Sequence, residues 1–136
     1  MADEEGDIYF FSVLANPVHR GSLLALFPLV HRLRGCLGIA ASLDGVRWSR
    51  ITPLRSCLVS GERAVDHPVA GLVRRGEVVW LYVHEKVPGI TADRLSPWPL
   101  FKQLEAVAPR AGLVRYSLPV DTLREWTERS LRDLTA

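Results

Sequence analysis

Polar side chains crowd into one stretch of this chain, Gly61-Glu62-Arg63-Ala64-Val65-Asp66-His67-Pro68. Glu62 and Asp66 stand four residues apart in what reads as a polar loop running from Gly61 to Pro68. Two carboxylates about 5–9 Å apart, one of them held protonated, are what glycoside hydrolysis requires. Arg63 between them would lower the pKa of one carboxylate while burial raised the other. A second pair, His84-Glu85, closes a later strand. The candidate catalytic set is therefore Asp66 with Glu62 or Glu85 as its partner, and Arg63, His67 and His84 are the candidate substrate contacts. The plainer alternative is an Arg–Asp pair pinning a loop and a solvated His-Glu pair at a strand end.

The hairpin that would gather these residues is legible. Arg74-Arg75-Gly76-Glu77 reads as its turn, so positions equally far from the turn should face one another. Counting outward puts Val73 near Val78, Gly71 near Trp80, Val69 near Tyr82 and His67 near His84. Asp66, His67, His84 and Glu85 would then share one end of a sheet, where a divalent cation or a polyhydroxy ligand is the guest such groups take. No motif with zinc spacing is present. Cys36 and Cys57 are 21 residues apart and read as two free thiols rather than a bridge. A Ser/His/Asp set can be written from Ser42, His67 and Asp66, but without a nucleophile elbow it has no weight. No phosphate loop or dinucleotide fingerprint occurs, so no cofactor is expected.

The elements that must hold these residues are mostly strands. Residues 1–6 read as a disordered lead and 7–136 as one domain. Asp7 to Leu14 is β-branched and aromatic, a buried strand. Ser22 to Phe27 reads as a second strand or short apolar segment stopped by Pro28, His31 to Gly35 as a connector, and Cys36 to Ser42 as a third strand. After the Asp44-Gly45 turn, Val46 to Ile51 reads as a strand ended by Thr52-Pro53, with Leu54 to Val59 as an edge strand. Val69–Val73 and Val78–Val83 make the second hairpin. From about residue 95 the pattern turns helical. Ser96-Pro97 starts one helix, with Leu100, Leu104 and Val107 on one face. Leu113 to Leu118 is a short strand, and Pro119 to Leu134 an amphipathic helix with Leu123, Trp126, Ser130, Leu131 and Leu134 on one face. The expected fold is α+β and β-dominated: antiparallel hairpins over 7–87, then two helices within 95–136 packing on the sheet.

One unit stands out as self-supporting. In Ser42-Leu43-Asp44-Gly45-Val46-Arg47-Trp48 the Asp carboxylate can accept backbone N–H groups of its own turn, and the Trp can fold back under it. The unit resembles the Ser-x-Asp-Gly-x-x-Trp turn between outer strands in blades of glycosidase-type β-propellers, one residue shorter than the sialidase Asp-box. Asp66-His67-Pro68-Val69, followed by Gly71 to Val83, is similar to the start of a further blade in arabinanase/invertase-like five-bladed propellers, where an acidic residue often begins the inner strand. The resemblance covers roughly Ile8 to Val87 and amounts to about two blades, whereas closing a propeller takes at least about four. It implies a non-catalytic binding or assembly module built from blades. The alternative is a carbohydrate-active glycoside hydrolase, with Asp66 and Glu62 or Glu85 as its acid–base carboxylates, complete only with further blades or a second copy.

Composition narrows the partners. Apolar residues make up 48% of the 136, and 24% are charged, which excludes wholesale disorder. The net charge is +2. The basic residues are nearly all arginines scattered along the chain, so no nucleic-acid footprint is expected. The acidic start has no basic-then-apolar leader, and the longest apolar run is interrupted by Pro28 and is too short to span a bilayer. The expectation is a soluble, cytoplasmic protein that takes a carbohydrate ligand or self-associates through sheet edges.

Overall fold

The computed structural model describes residues 7–8, 11–31, 34–54, 64–88 and 112–135. Two antiparallel sheets and one helix make up this part of the chain. The first sheet contains β1 (Asp7–Ile8), β2 (Ser12–Ala15), β3 (Leu23–His31), β4 (Arg34–Ser42) and β5 (Thr52–Pro53). β1 and β2 lie along the same edge of β3, which pairs with β4, which pairs with β5. The second sheet has β6 (Ala64–Arg75), β7 (Val78–Pro88) and β8 (Gly112–Pro119) in consecutive order. Helix α1 (Val120–Thr135) follows β8 directly. The architecture is β-dominated α+β, as the sequence implies. The helix expected from Ser96 lies outside the described residues, as do the 1–6 lead, Cys57 and the edge strand over 55–59.

Several boundaries differ from expectation for identifiable reasons. The first strand is split in two. Proline 28 does not stop β3, which runs on to His31. Pro28 faces Leu37 of β4, and along its other edge it falls between Leu26, which pairs with β2, and Leu29, which pairs with β1. Val46 to Ile51 is not a strand: the residues after Ser42 form a compact turn, and the chain rejoins the sheet only at Thr52. Asp66 and His67 sit in β6 rather than in a loop, because both hairpin strands extend well beyond the apolar runs that announce them.

The core forms where the inner faces of the sheets meet. Leu24, Leu26, Leu37 and Ile39 of the first sheet pack with Val79, Leu81 and Val83 of the second. β3 and β4 both contact β6 across this interface. Helix α1 adds Val120, Leu123 and Leu131 to the same cluster, with Trp126 and Leu134 packed against it. Its first N–H, on Val120, is taken up by the Glu77 carbonyl at 3.0 Å, so the hairpin turn satisfies a donor that a helix start otherwise leaves without an intrahelical acceptor. Asn16 pins the helix from the other side. Its side-chain amide donates to Thr127 Oγ1 at 3.1 Å, and its Oδ1 accepts the Val18 N–H at 3.0 Å. The first sheet carries a smaller aromatic cluster on its other side. Phe27 stacks on Phe11 at 5.1 Å, and Trp48 meets Phe11 edge-on at 4.9 Å.

Candidate functional site

The β6–β7 hairpin positions the residues nominated for chemistry. Its turn is two residues, Gly76-Glu77, with Arg75 opposite Val78 and Val73 opposite Trp80. Counting from a four-residue turn misplaces these pairs by two. The ladder then absorbs the difference: between Val69 and Leu72 the register shifts, and Ala70 and Gly71 have no partner on β7. Gly71 adopts φ 70°, the left-handed conformation that costs glycine nothing and makes such a bulge cheap. Beyond the bulge Val69 faces Tyr82 and His67 faces His84, the pairs that the count from the turn anticipates. A second irregularity follows, where Asp66 stands against both Glu85 and Lys86.

Meeting at one end of the hairpin does not put the four side chains on one side of it. Directly opposed residues share a face, and successive residues of a strand alternate. His67 and His84 therefore occupy the outer face, away from the core. Glu85 belongs to the inner face with Leu81 and Val83, and the Tyr116 hydroxyl of β8 donates a hydrogen bond to its Oε1. Asp66 is buried, with 6% of its surface exposed. The His67 pKa is lowered from its ordinary value, first by burial and then by the neighbouring His84, with Asp66 pulling the other way. Glu62 and Arg63 lie outside the described residues. Among the described residues no three His, Cys, Asp or Glu side chains are grouped to hold a metal ion.

The Ser42–Trp48 unit forms as its residue types require. Asp44 Oδ1 accepts the N–H groups of Val46 and Arg47 at 2.9 and 2.8 Å, and Oδ2 accepts Arg47 Nε at 3.2 Å. These backbone donors hold the Asp44 carboxyl far below the usual carboxylate range. Ser42 Oγ accepts the Gly45 N–H at 2.9 Å and donates to the Arg47 carbonyl. Trp48 Nε1 closes the loop onto the Gly45 carbonyl at 3.2 Å. The Ser42, Asp44 and Trp48 side chains all bond within the turn, which gives the motif a structural role.

Two further features have no counterpart in the sequence reading. Between the sheets lies a hollow of about 160 Å³ whose walls include Leu26, Ile39, Leu72, Leu81 and Tyr116; among the described residues no carboxylate lines it. On the outer face of the second sheet, Trp80 is flanked by two guanidinium groups. Arg115 of β8 lies 4.2 Å and Arg75 of β6 lies 5.4 Å from the ring centroid. These residues are 40 positions apart in the chain, and only the strand register reveals that they meet. With Val79, Leu81 and Val83 alternating against Trp80 and Tyr82, both faces of β7 are apolar, a pattern that reads as a strand covered on both sides; in the structure Val79, Leu81 and Val83 are buried while Trp80 and Tyr82 are only half-buried.

No family model, curated protein or solved structure matches this chain. Among the described residues no helix is long and apolar enough to cross a membrane.

Proposed function

We propose that this chain is a non-catalytic binding or assembly module built from two blade-like antiparallel sheets. The observation that carries this reading is the fate of the described carboxylates. Asp66 is buried, and Glu85 is turned to the inner face and engaged by Tyr116. A glycosidase needs its two carboxylates on either side of a bond that the substrate can bring between them. Assembly would use β8, an eight-residue strand that among the described residues pairs on one side only, with β7. Such an edge is a template for another strand.

The hydrolase alternative draws on a different observation. β3, β4 and β5 follow one another in antiparallel order, with the Asp44 turn between β4 and β5, as in the blades the sequence resembles. One experiment separates the two readings. The full chain is incubated with a panel of chromogenic glycosides, alongside Asp66→Asn and Glu85→Gln, and its mass is measured by size-exclusion chromatography with light scattering. The module reading expects no turnover above buffer from any of the three proteins. Turnover that disappears in either variant would establish the hydrolase instead.

A further inference from the structure

We propose that the outer face of the β6–β7–β8 sheet binds single-stranded nucleic acid, with Tyr82 as a stacking platform and Arg75 and Arg115, held over Trp80, as phosphate contacts and further stacking planes. This inference rests on the binding-module reading and gives it a ligand.

Trp80 and Tyr82 are two residues apart on the central strand, so they stand on the same side of the sheet, about 7 Å from one another. Both are half-buried; guanidinium groups lie over the Trp80 ring, so an unpaired base would stack on Tyr82 and on the guanidinium planes beside it. The two arginines reach Trp80 from the flanking strands, within the distance of about 6 Å at which a cation is held over a ring. A guanidinium group stacked in this way keeps its planar fork of N–H donors. Each arginine is thereby held in place by the indole and still able to donate to a phosphate. The exposed His84 lies on the same face and offers a ring N–H as a further donor.

Among the described residues paired across the ladder on this face, Arg75 and Arg115 carry charge and none is a carboxylate: Glu85 faces inward, and Glu77 sits in the hairpin turn beyond the ladder. Asp66, at the unpaired position next to His67, is buried and acts on His67 at the far end of β6 from Arg75. Around the aromatic pair the surface is apolar and accessible, with Val73 at 42% and Leu113 at 66% exposure. Basic groups alone attract any polyanion. Aromatic planes interleaved with them select a partner that brings free π-faces, and unpaired nucleobases do so whatever their sequence. A duplex hides those faces, and a sulfated polysaccharide or acidic peptide lacks them. The expectation of no nucleic-acid partner rested on arginines scattered in sequence; the register collects two of them around one tryptophan.

The test is fluorescence anisotropy of a labelled oligothymidylate of about twelve nucleotides, titrated with the full chain across a range of salt concentrations. The proposal expects saturable binding that weakens as salt rises, with a log–log slope near −1.4 for two phosphate contacts at about −0.7 each. Arg75→Gln or Arg115→Gln should bring the slope to about half. Tyr82→Leu, which keeps an apolar side chain at a half-buried site, should weaken binding about tenfold while the melting curve stays cooperative. No binding at low salt would overturn the proposal. So would heparin or duplex DNA binding as tightly as the oligomer with indifference to Tyr82→Leu, since that is adhesion of a polyanion. A chain that binds no oligomer and hydrolyses no glycoside loses this ligand but remains a module.

Discussion

Phe27 of β3 lies across Gly38, its directly opposed residue on β4, so closely that a Cβ at position 38 would overlap the ring. The bare glycine lets the aromatic side chain lie flat on the neighbouring backbone, where it stacks with Phe11 and is itself fully buried. Gly38→Ala should therefore push Phe27 out of its place and destabilise the fold by about 1–3 kcal/mol, the range for overpacking a tight site. Urea unfolding measures it. The double variant with Phe27→Leu should recover part of the loss, because the two residues are in contact and their effects couple.

The Ser42–Asp44 turn should fail when its acceptor is removed. Asp44→Ala leaves the Val46 and Arg47 N–H groups without their shared acceptor and lowers the melting temperature. Since folding holds this carboxyl below its unfolded value of 3.8, the stabilisation is present above that pH and disappears as the pH falls below it. The loss of melting temperature on substitution should accordingly shrink in strong acid. Trp48→Ala should cost about 2 kcal/mol, less than the 3–5 of a fully buried aromatic ring, because Trp48 is only half-buried.

His67 gives the fold a separate acid sensitivity at milder pH. Burial and His84 lower its pKa from 6.5, so the unfolded chain binds the proton more tightly than the folded one. Stability is then highest with His67 neutral and declines as the pH falls below about 6.5. His67→Gln should flatten this part of the melting-temperature profile and leave the Asp44 contribution at lower pH in place. An unchanged profile between pH 7 and 5 would show that the burial of His67 has no energetic consequence.

Asn16 ties the β2–β3 turn to the helix through Thr127, which is itself fully buried and also donates to the Leu123 carbonyl at 2.8 Å. Asn16→Ala removes the donor to Thr127 and the acceptor for Val18 together. A loss of about 1–3 kcal/mol is expected for a buried polar group left without its partner. Helix α1 should feel it first, with faster amide exchange around Leu123 to Leu131.

The residues by themselves determined what is local. Short, largely apolar runs announced β4, β7 and β8, and a 3.6-residue apolar stripe announced α1 within a residue of its observed ends. In the Ser42–Trp48 turn the Asp44 acceptor and the folded-back Trp48 were legible, because these bonds lie within a few residues of chain, whereas Ser42 and the Gly45 carbonyl as acceptors were not foreseen. The pairing of His67 with His84 was also read correctly, although through a turn two residues too long that the Ala70-Gly71 bulge offset. Only tertiary structure decided which face each of these residues occupies. A pleated strand alternates at every position, so one bulge is enough to separate or unite side chains that the sequence places side by side. Alternation along β7 turned Glu85 inward to Tyr116 and His84 outward, and the pairing of β6 and β8 with β7 brought Arg75 and Arg115, 40 residues apart, to flank one indole.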